Sequence, residues 1–415
     1  MSWGDWPKHL WDGLSGKVGD ALGAAIAAAV ITLVGIFIVW LIKRGRWLID
    51  YHQRLSRVRR DVGREDKRPW RREGKGLWLA QPIYPPEIRL APGYSPKVLV
   101  VANAKGGVGK TTLAANIAAR LSELALASGE KPILLIDIDF QGTLSAMSIY
   151  GDNAWLPEKD RDSEATYLVS GDLTSEQVAN VQKAATYIRL RQNQNNTDVL
   201  MQNTLRLITS YYDLAQTESR VMVEWLIGNR KSDARFYLRK VLWSEAVALS
   251  FSVVIVDCPP RFTTAAIQAF AAATHILIPT KLDYASREAV DSFIGQIEVL
   301  RAAEICWDRV EYVGVVATMV DPRANVEDLR TQLNDKVKGR TRCLGAHTDI
   351  HENVIFRDAG GRGIAYFLMG DSPSVAGVKK AVQLLSQQVA RAMNLPHTLQ
   401  KEPENEGNSA ERVVV

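Results

Sequence analysis

Apolar residues are distributed along this chain in two distinct ways. From Ala21 to Ile42 no charged residue occurs over 22 positions. After residue 95, short runs of Val, Ile and Leu alternate with longer segments in which apolar residues recur at helical spacing. The first pattern predicts one helix long enough to cross a lipid bilayer. The second predicts alternating strands and helices, which is typical of an α/β fold with a mostly parallel sheet and helices on both faces.

The short apolar runs after residue 95 predict buried strands. Each is rich in β-branched residues or leucine and ends in a polar or glycine-containing turn. A helix, Thr112–Leu126, is predicted after the first run. The predicted strands are Lys97–Asn103, Pro132–Asp139, Ser252–Asp257, His275–Pro279 and Glu311–Ala317.

Composition divides the chain into successive segments. Apolar residues make up 47% and charged residues 23% of the sequence, which is typical of a globular protein. Prolines between residues 76 and 95 oppose helix formation and predict a linker. The predicted segments are a short extracytoplasmic piece (1–20), a transmembrane helix (21–42), a basic neck (43–75), a proline-rich linker (76–95), a globular domain (96–397) and a disordered acidic tail (398–415).

The residues that follow the apolar helix predict its orientation. Lys43, Arg44 and Arg46 come directly after it, and such positive flanks stay in the cytoplasm. We therefore expect the N-terminus outside and the remaining chain inside a bacterial inner (cytoplasmic) membrane. The alternatives are a cleaved signal peptide, although the N-terminal region is not basic, and a buried helix of a soluble protein.

Positive charge is concentrated in the neck. Between Lys43 and Lys75 there are 13 Lys/Arg against 5 Asp/Glu, whereas the whole chain has a formal net charge of +5. The globular part is therefore not broadly cationic, which argues against a general nucleic-acid-binding domain. The neck is expected to attract anionic lipid head groups, although nucleic acid can use the same charges and membrane topology alone also accounts for them.

A glycine-rich turn lies between the first predicted strand and the helix after it. It reads Lys-Gly-Gly-Val-Gly-Lys-Thr-Thr over residues 105–112. Strand, glycine loop and helix in this order predict a phosphate-binding loop, because glycines let backbone N–H groups approach phosphates and the helix N-terminus adds a positive dipole. Lys110 would reach the β- and γ-phosphates of ATP, and the Thr111 hydroxyl would bind Mg²⁺. The predicted ATP-binding residues are Lys105, Gly106, Gly107, Val108, Gly109, Lys110, Thr111 and Thr112.

This loop departs from the general phosphate-binding pattern. Ala104 stands where the first glycine of that pattern is expected, and Lys105 follows it. The run resembles the deviant phosphate loop of the ParA/MinD family of P-loop ATPases. The resemblance implies that two copies enclose ATP between them, and that Lys105 reaches across to the nucleotide bound by the other copy.

Later motifs extend the resemblance over most of the globular domain. Asp137-Ile-Asp139-Phe-Gln-Gly resembles the family's D-x-D-P-Q-G motif, with Phe140 in place of proline. It implies that Asp137 lies near Mg²⁺ and that Asp139 orients the attacking water. Asp257 follows four apolar residues and begins a D-C-P-P motif, and such a carboxylate typically holds Mg²⁺ through water. The predicted catalytic residues are thus Lys105, Lys110 and Asp139, and the predicted metal ligands are Thr111, Asp137 and Asp257.

The resemblance implies an ATPase that dimerises around Mg-ATP and hydrolyses it to ADP and phosphate, and so switches or positions a partner at the membrane. Expected partners are a second copy, membrane lipid and a protein partner or activator. DNA is a weaker candidate, for which Arg323, Arg357 and Arg362 are the candidate contacts. Two alternatives stay open: a nucleotide-gated scaffold or signalling subunit of a defence or secretion system, and a membrane-linked tyrosine autokinase of polysaccharide synthesis. The tyrosine-free tail argues against the kinase.

Overall fold

The structure is a computed structural model. It describes residues 28–46, 48–49, 52–53, 56, 77–79, 96–148, 164–174, 176–177, 181, 185–187, 204–230, 232–321, 326–359, 362–370 and 372–396. The predicted extracytoplasmic piece and acidic tail lie outside these residues, as do most of the neck and the linker. The division of the chain into segments therefore stays a prediction.

Eight strands among the described residues form one sheet. They are β1 (Val98–Val101), β2 (Ile133–Asp137), β3 (Thr186–Tyr187), β4 (Leu205–Ile208), β5 (Val253–Asp257), β6 (His275–Thr280), β7 (Glu311–Val320) and β8 (Ile350–His351). Their spatial order is β3-β4-β2-β5-β1-β6-β7-β8. Neighbouring strands are parallel except for β3 and β4, which pair antiparallel at one edge.

Helices connect the strands and cover both faces of the sheet. The N-terminal helix α1 spans Ala28–Arg46. The other described α-helices are α2 (Lys110–Ser128), α3 (Thr143–Ser148), α4 (Glu164–Ser170), α5 (Asp213–Ile227), α6 (Tyr237–Leu242), α7 (Glu245–Ser250), α8 (Thr264–Ala272), α9 (Tyr284–Ala302), α10 (Glu327–Val337), α11 (Val354–Ala359), α12 (Ala365–Leu368) and α13 (Pro373–Ala392). Short 3₁₀ turns occur at Leu77–Leu79, Ala234–Phe236 and Ala346–Thr348.

The hydrophobic core lies on both sides of the sheet. In β1, Leu99 and Val101 pack into the layer that contains α2 and α13, whereas Val98 and Val100 pack into the opposite layer with α4, α6, α8 and α9. Successive side chains of a strand point to opposite faces, so a strand that is covered on both sides is apolar at every position. This burial explains why the sequence shows continuous rather than alternating apolar runs.

The predicted fold class is confirmed. The predicted strands correspond to β1, β2, β5, β6 and β7, whose ends differ from the predicted bounds by up to three residues. Two of the differences in strand and helix ends have clear reasons. β7 continues to Val320 because Thr318 and Val320 pair with β8. The helix after β1 begins at Lys110 instead of Thr112, because the left-handed Gly109 turns the chain directly into α2.

The N-terminal helix α1 is long and apolar enough to cross a membrane, and none of it is buried within the structure. Large apolar side chains such as Ile31, Leu33 and Phe37 are more than half exposed. A core helix of a soluble protein would bury these side chains, whereas a signal sequence passes the same test of length and composition. Residues 21–27 of the predicted span lie outside the described residues.

Candidate nucleotide-binding site

The glycine-rich loop lies at the carboxyl end of the central strand β1. Gly107 and Gly109 have φ angles of 66° and 75°, a left-handed conformation that a residue without Cβ adopts at little cost. Because α2 begins at Lys110, the loop stands at a helix N-terminus, where the partial positive charge favours an anion. Val108 is buried, and its carbonyl accepts a hydrogen bond of 2.8 Å from the Thr318 hydroxyl, which ties the loop to β7.

The Lys110 side chain folds back against this loop. It is 7% exposed, and its Nζ donates to the backbone carbonyl of Lys105 at 3.0 Å. Burial lowers the pKa of Lys110, and the neighbouring Asp257 carboxylate opposes that shift. A lysine held between the loop backbone and a buried carboxylate is placed to meet phosphate groups above the loop.

Asp257 ends β5 directly beside β1, where it pairs with Val101 in the ladder. Its carboxylate is buried and accepts a hydrogen bond from Thr111, while its Oδ1 has no hydrogen-bond partner in the described part of the chain. A buried carboxylate oxygen without a partner costs folding free energy unless it binds a cation or a water. The Thr111 hydroxyl and the Asp257 carboxylate therefore fit Mg²⁺, which prefers oxygen ligands.

The described residues do not supply a complete metal site on their own. Among them, no group of three or more His, Cys, Asp or Glu side chains could hold a metal ion. Phosphate oxygens and water would therefore have to complete the coordination of Mg²⁺, as is usual for this ion.

Asp137 ends β2 and lies opposite Asp257 in the parallel ladder. Its Oδ1 accepts from the backbone N–H of Asp139 at 3.0 Å, and its Oδ2 accepts from the N–H and the hydroxyl of Ser145 at 2.9 and 2.8 Å. Burial raises the pKa of Asp137 to about 7, against the bonds from Ser145. Both oxygens are thus occupied by the turn into α3. A direct metal role for Asp137 stays a prediction.

Burial also raises the pKa of Asp257 well above its usual range, and the adjacent Asp137 adds to the shift. Two acidic groups side by side in a buried ladder do not both ionise readily unless a cation lies nearby. The electrostatics of this edge of the sheet therefore favour a bound cation, in agreement with the unpartnered oxygen of Asp257.

The turn of residues 139–142, which we call the switch turn, borders the site. Asp139 is half-buried, and one of its carboxylate oxygens accepts from the backbone N–H of Gln141 at 3.0 Å. Gly142 closes the turn with a φ angle of 61° and donates its N–H to the Asp139 carbonyl at 2.9 Å. The partial exposure of Asp139 is compatible with a role in orienting water, which stays a prediction.

We expect alanine at Gly142 to destabilise the switch turn. A Cβ at this position would lie 2.5 Å from the Ser210 carbonyl oxygen, in addition to the strain of a left-handed φ. Gly129→Ala is the matched control, since Gly129 has a φ angle of 66° but open space around the Cβ position. Thermal unfolding should show a loss of about 1–2 kcal/mol for the control and a larger loss for Gly142→Ala. Equal losses would contradict the steric role of Ser210.

Lys105 is held within its own chain. Its Nζ lies 3.0 Å from Oδ2 of Asp283 and 2.8 Å from Oγ of Ser286. Partial burial alone would raise the pKa of Asp283, but hydrogen bonds from Ser286 and Lys105 lower it below the usual carboxyl range. Because both side chains are partly exposed, this ion pair contributes little to stability and can be exchanged for another contact.

The sequence did not identify Asp283 or Ser286 as parts of the site. Asp283 caps the N-terminus of α9 by accepting from the Ser286 N–H at 2.6 Å, and it follows β6, which neighbours β1. The carboxyl ends of parallel strands meet at one edge of a sheet, so a carboxylate just after a predicted strand was the signal available. Ser145, which binds Asp137, gave no comparable signal.

Glu218 in the middle of α5 connects two segments that border the site. Its buried carboxylate accepts from the Ala265 N–H at 2.8 Å, at the start of α8, and its backbone carbonyl accepts from the Thr264 hydroxyl at 3.1 Å. Burial raises the pKa of Glu218, against hydrogen bonds from Thr263 and Ala265. α5 is therefore fixed to the segment that follows Asp257 and the D-C-P-P motif.

The raised pKa of Glu218 predicts a pH-dependent stability. The folded protein keeps the proton to a higher pH than the unfolded chain, whose ordinary value is 4.5, so the unfolding free energy should fall as the pH rises above that value. Glu218→Gln should flatten this fall when thermal unfolding is measured at increasing pH above 4.5. Glu245→Gln, at an exposed position, serves as the control. An unchanged pH profile in Glu218→Gln would refute the assignment.

The remaining residues considered from the sequence are three arginines and Cys258. Arg357 and Arg362 are exposed, and Arg323 lies outside the described residues. Burial raises the pKa of the Cys258 thiol well above its usual range, which is typical of an inert structural cysteine. Neither arginine contacts the phosphate-binding loop in any described hydrogen bond, so DNA contact by these residues stays a prediction.

The chain is similar in sequence to one protein family and to several known proteins. The sequence profile of the AAA domain family matches residues 96–305. Over 247 residues the chain is 28% identical to the sporulation initiation inhibitor protein Soj of Bacillus subtilis, covering 58% of this chain and 81% of Soj. The chromosome partitioning protein ParA of Myxococcus xanthus is 27% identical over 247 residues, covering 59% of this chain and 71% of ParA.

A solved structure shares the fold. The ATP complex of a McdA variant from Cyanothece superposes with a TM-score of 0.53 at 18% identity, covering 73% of this chain and 98% of McdA. At this identity the likeness concerns the fold alone. The family match and the similarity to Soj and ParA confirm the resemblance that the phosphate-loop and carboxylate motifs predict.

Proposed function

The chain belongs to the AAA domain family, and we propose that it is a membrane-tethered ATPase of the ParA/MinD type. It binds Mg-ATP at residues 105–112 and hydrolyses it to ADP and phosphate. The observation that carries this proposal is the meeting of three groups at neighbouring strand ends: the loop with Lys110, the Thr111 hydroxyl, and the unpartnered Oδ1 of Asp257. The ATP bound in the McdA structure supports ATP as the ligand.

Each group has one task in the proposed reaction. The loop N–H groups and Lys110 hold the phosphates, while Thr111 and Asp257 hold Mg²⁺, which supplies positive charge at the phosphate oxygens. Asp139 orients the attacking water. Because phosphoryl transfer depends mainly on positioning and electrostatics, these groups suffice without a covalent intermediate.

Dimerisation would complete the site. We propose that Lys105 leaves Asp283 and Ser286 and contacts the phosphates bound by the second copy, where two or more negative charges replace one carboxylate. The exchange is favourable because the original ion pair is partly exposed and therefore weak. Hydrolysis followed by release of the phosphate removes part of that charge and loosens the dimer, which resets the surface offered to a protein partner.

Membrane attachment would confine this reaction to the cytoplasmic face. The length, apolarity and exposure of α1 support a single span in a bacterial inner membrane, with the N-terminus outside. The basic neck then lies where anionic head groups attract it by about 1 kcal/mol per residue. Attachment in a plane raises the local concentration of the chain and favours pairing.

The proposal can be tested with the full-length chain in lipid nanodiscs. Phosphate release with Mg-ATP should require Mg²⁺ and should increase when anionic lipid replaces zwitterionic lipid. Asp257→Asn, which removes the carboxylate charge beside Thr111, should lose the Mg²⁺ dependence together with turnover. The absence of ATP binding in the wild-type chain would overturn the proposal, and phosphate transfer to the chain's own tyrosines would favour the autokinase instead.

A further inference from the structure

A short segment between α1 and the sheet is bound to the surface of the globular domain. This docking segment, Leu77–Leu79, forms a 3₁₀ turn. The Trp78 ring stacks on Trp225, with 5.9 Å between ring centroids and an interplanar angle of 10°. Trp78 and Leu79 are partly buried against the core of the domain. The path from the N-terminal helix to the ATPase site therefore contains a defined contact before β1 begins.

The contact includes a buried charged group that binds the backbone of the docking segment. Arg235 is 1% exposed and donates from Nη1 to the Trp78 carbonyl at 2.6 Å. Its Nε and Nη2 donate to the two carboxylate oxygens of Asp233 at 2.9 and 2.6 Å, and its guanidinium lies 4.9 Å from the Trp225 ring centroid. An arginine fixed on two sides by a carboxylate and a ring presents its remaining N–H groups in one direction. Asp233 and Trp225 thus hold the arginine that binds the docking segment.

Helix α5 connects this contact with the switch turn. Trp225 lies near its C-terminal end, and Tyr212 directly precedes its first residue. The Tyr212 ring lies 6.5 Å from the ring of Phe140 in the switch turn. The two contacts are therefore separated by about 20 Å along one helix. Between them, Glu218 accepts from the Ala265 N–H at the start of α8, which joins α5 to the segment that follows Asp257.

We propose that the Trp225–Arg235 site is a docking site for the chain's own membrane tether, and that its occupancy is coupled through α5 to nucleotide binding at the switch turn. The proposal rests on the ATP-binding function proposed above. A shift of Phe140 against Tyr212 moves the N-terminal end of α5, and a nearly rigid helix transmits this shift to Trp225. Mg-ATP then changes how firmly the tether is held, and with it the orientation of the domain at the membrane.

Such coupling is reciprocal. If Mg-nucleotide binding changes the docking equilibrium by a given factor, loss of docking changes nucleotide affinity by the same factor. If nucleotide strengthens docking, a variant that cannot dock should bind nucleotide more weakly than wild type. If nucleotide weakens docking, that variant should bind nucleotide more tightly. The equality of the two factors separates coupling from a general loss of stability, which would not link the two measurements.

The experiment uses full-length protein in nanodiscs. Hydrogen exchange of residues 77–79 is measured without nucleotide and with Mg-AMPPNP, and the AMPPNP dissociation constant is measured for wild type and Trp78→Ala. We expect Mg-AMPPNP to change the exchange protection of residues 77–79 by about fivefold or more, and Trp78→Ala to change the AMPPNP dissociation constant by the same factor. Trp78→Phe, which keeps an aromatic ring, should retain most of the coupling. Val223→Ala, an exposed position of α5, should leave both values unchanged.

Three results would overturn the proposal. The first is a hydrogen-exchange rate at residues 77–79 that does not change when AMPPNP binds. The second is an unchanged dissociation constant in Trp78→Ala. In both cases the proposed ATPase function stands. The third is the absence of AMPPNP binding in wild type, in which case the proposed function and this inference fail together.

Discussion

Lys110→Ala is expected to abolish ATP binding and turnover. Lys110 is buried at the loop, and its Nζ lies 3.0 Å from the Lys105 carbonyl, so it is positioned before any nucleotide arrives. Removing a preorganised cation from a phosphate site typically costs about 10²–10³ in rate, and here it also leaves Asp257 without its positive neighbour. Phosphate release and binding of a fluorescent ATP analogue measure the two losses.

The control for this variant is Lys131→Ala. Lys131 is exposed and donates to the Ala248 carbonyl beyond the opposite end of the sheet, so its removal should leave ATP binding unchanged. Circular dichroism and thermal unfolding establish that both variants fold. ATP turnover within tenfold of wild type in folded Lys110→Ala would show that the loop does not use this lysine.

Lys105→Ala should separate nucleotide binding from turnover. Its side chain contacts Asp283 and Ser286, whereas no described hydrogen bond joins its Nζ to the phosphate loop. We therefore expect ATP affinity of the single chain within a few-fold of wild type, but loss of ATP-dependent dimerisation and a fall in turnover of about 10²-fold or more. Analytical ultracentrifugation with Mg-AMPPNP measures dimerisation. Unchanged turnover would disprove the action of Lys105 in trans.

Asp283→Asn provides the opposite change at the same contact. Asparagine keeps an oxygen that can cap α9 but removes the negative charge that holds Lys105. We expect this variant to dimerise at a lower concentration of Mg-AMPPNP than wild type. Weaker dimerisation would indicate that Asp283 serves the dimer itself instead of holding Lys105 in the single chain.

The sequence predicted those parts of the site that depend on local pattern. The glycine loop, the strand that ends in Asp257 and the carboxylates at Asp137 and Asp139 all lie within short segments whose neighbours in sequence are also neighbours in space. The contact between Lys105 and Asp283 joins residues 178 positions apart, and no local pattern encodes it. Ser145 lies only 8 positions after Asp137, but a serine in a turn has no sequence pattern that marks it as the partner of that carboxylate.

The contact between the docking segment and the globular domain could not be predicted from the sequence. Tryptophan near a proline-rich linker is easily assigned to a membrane interface, and only the fold brings Trp78 to Trp225 and Arg235. The existence of the five predicted strands, in contrast, follows from burial on both faces of the sheet and was visible as apolar runs, although their ends differ from prediction by up to three residues. What the sequence lacked was the pairing between distant segments, which depends on the order of strands in the sheet.

The central position of β1 also has a consequence for how the protein is made. β1 carries the phosphate loop, yet both of its neighbours, β5 and β6, come much later in the chain, and Val98 bonds to Thr274 across 176 positions. Chains dominated by such distant pairings fold slowly, and the nascent strand waits for its neighbours to leave the ribosome. During synthesis the phosphate loop is therefore present long before β5 and β6 complete the nucleotide site. A ligand or protein partner that arrives before these strands are made meets an incomplete site.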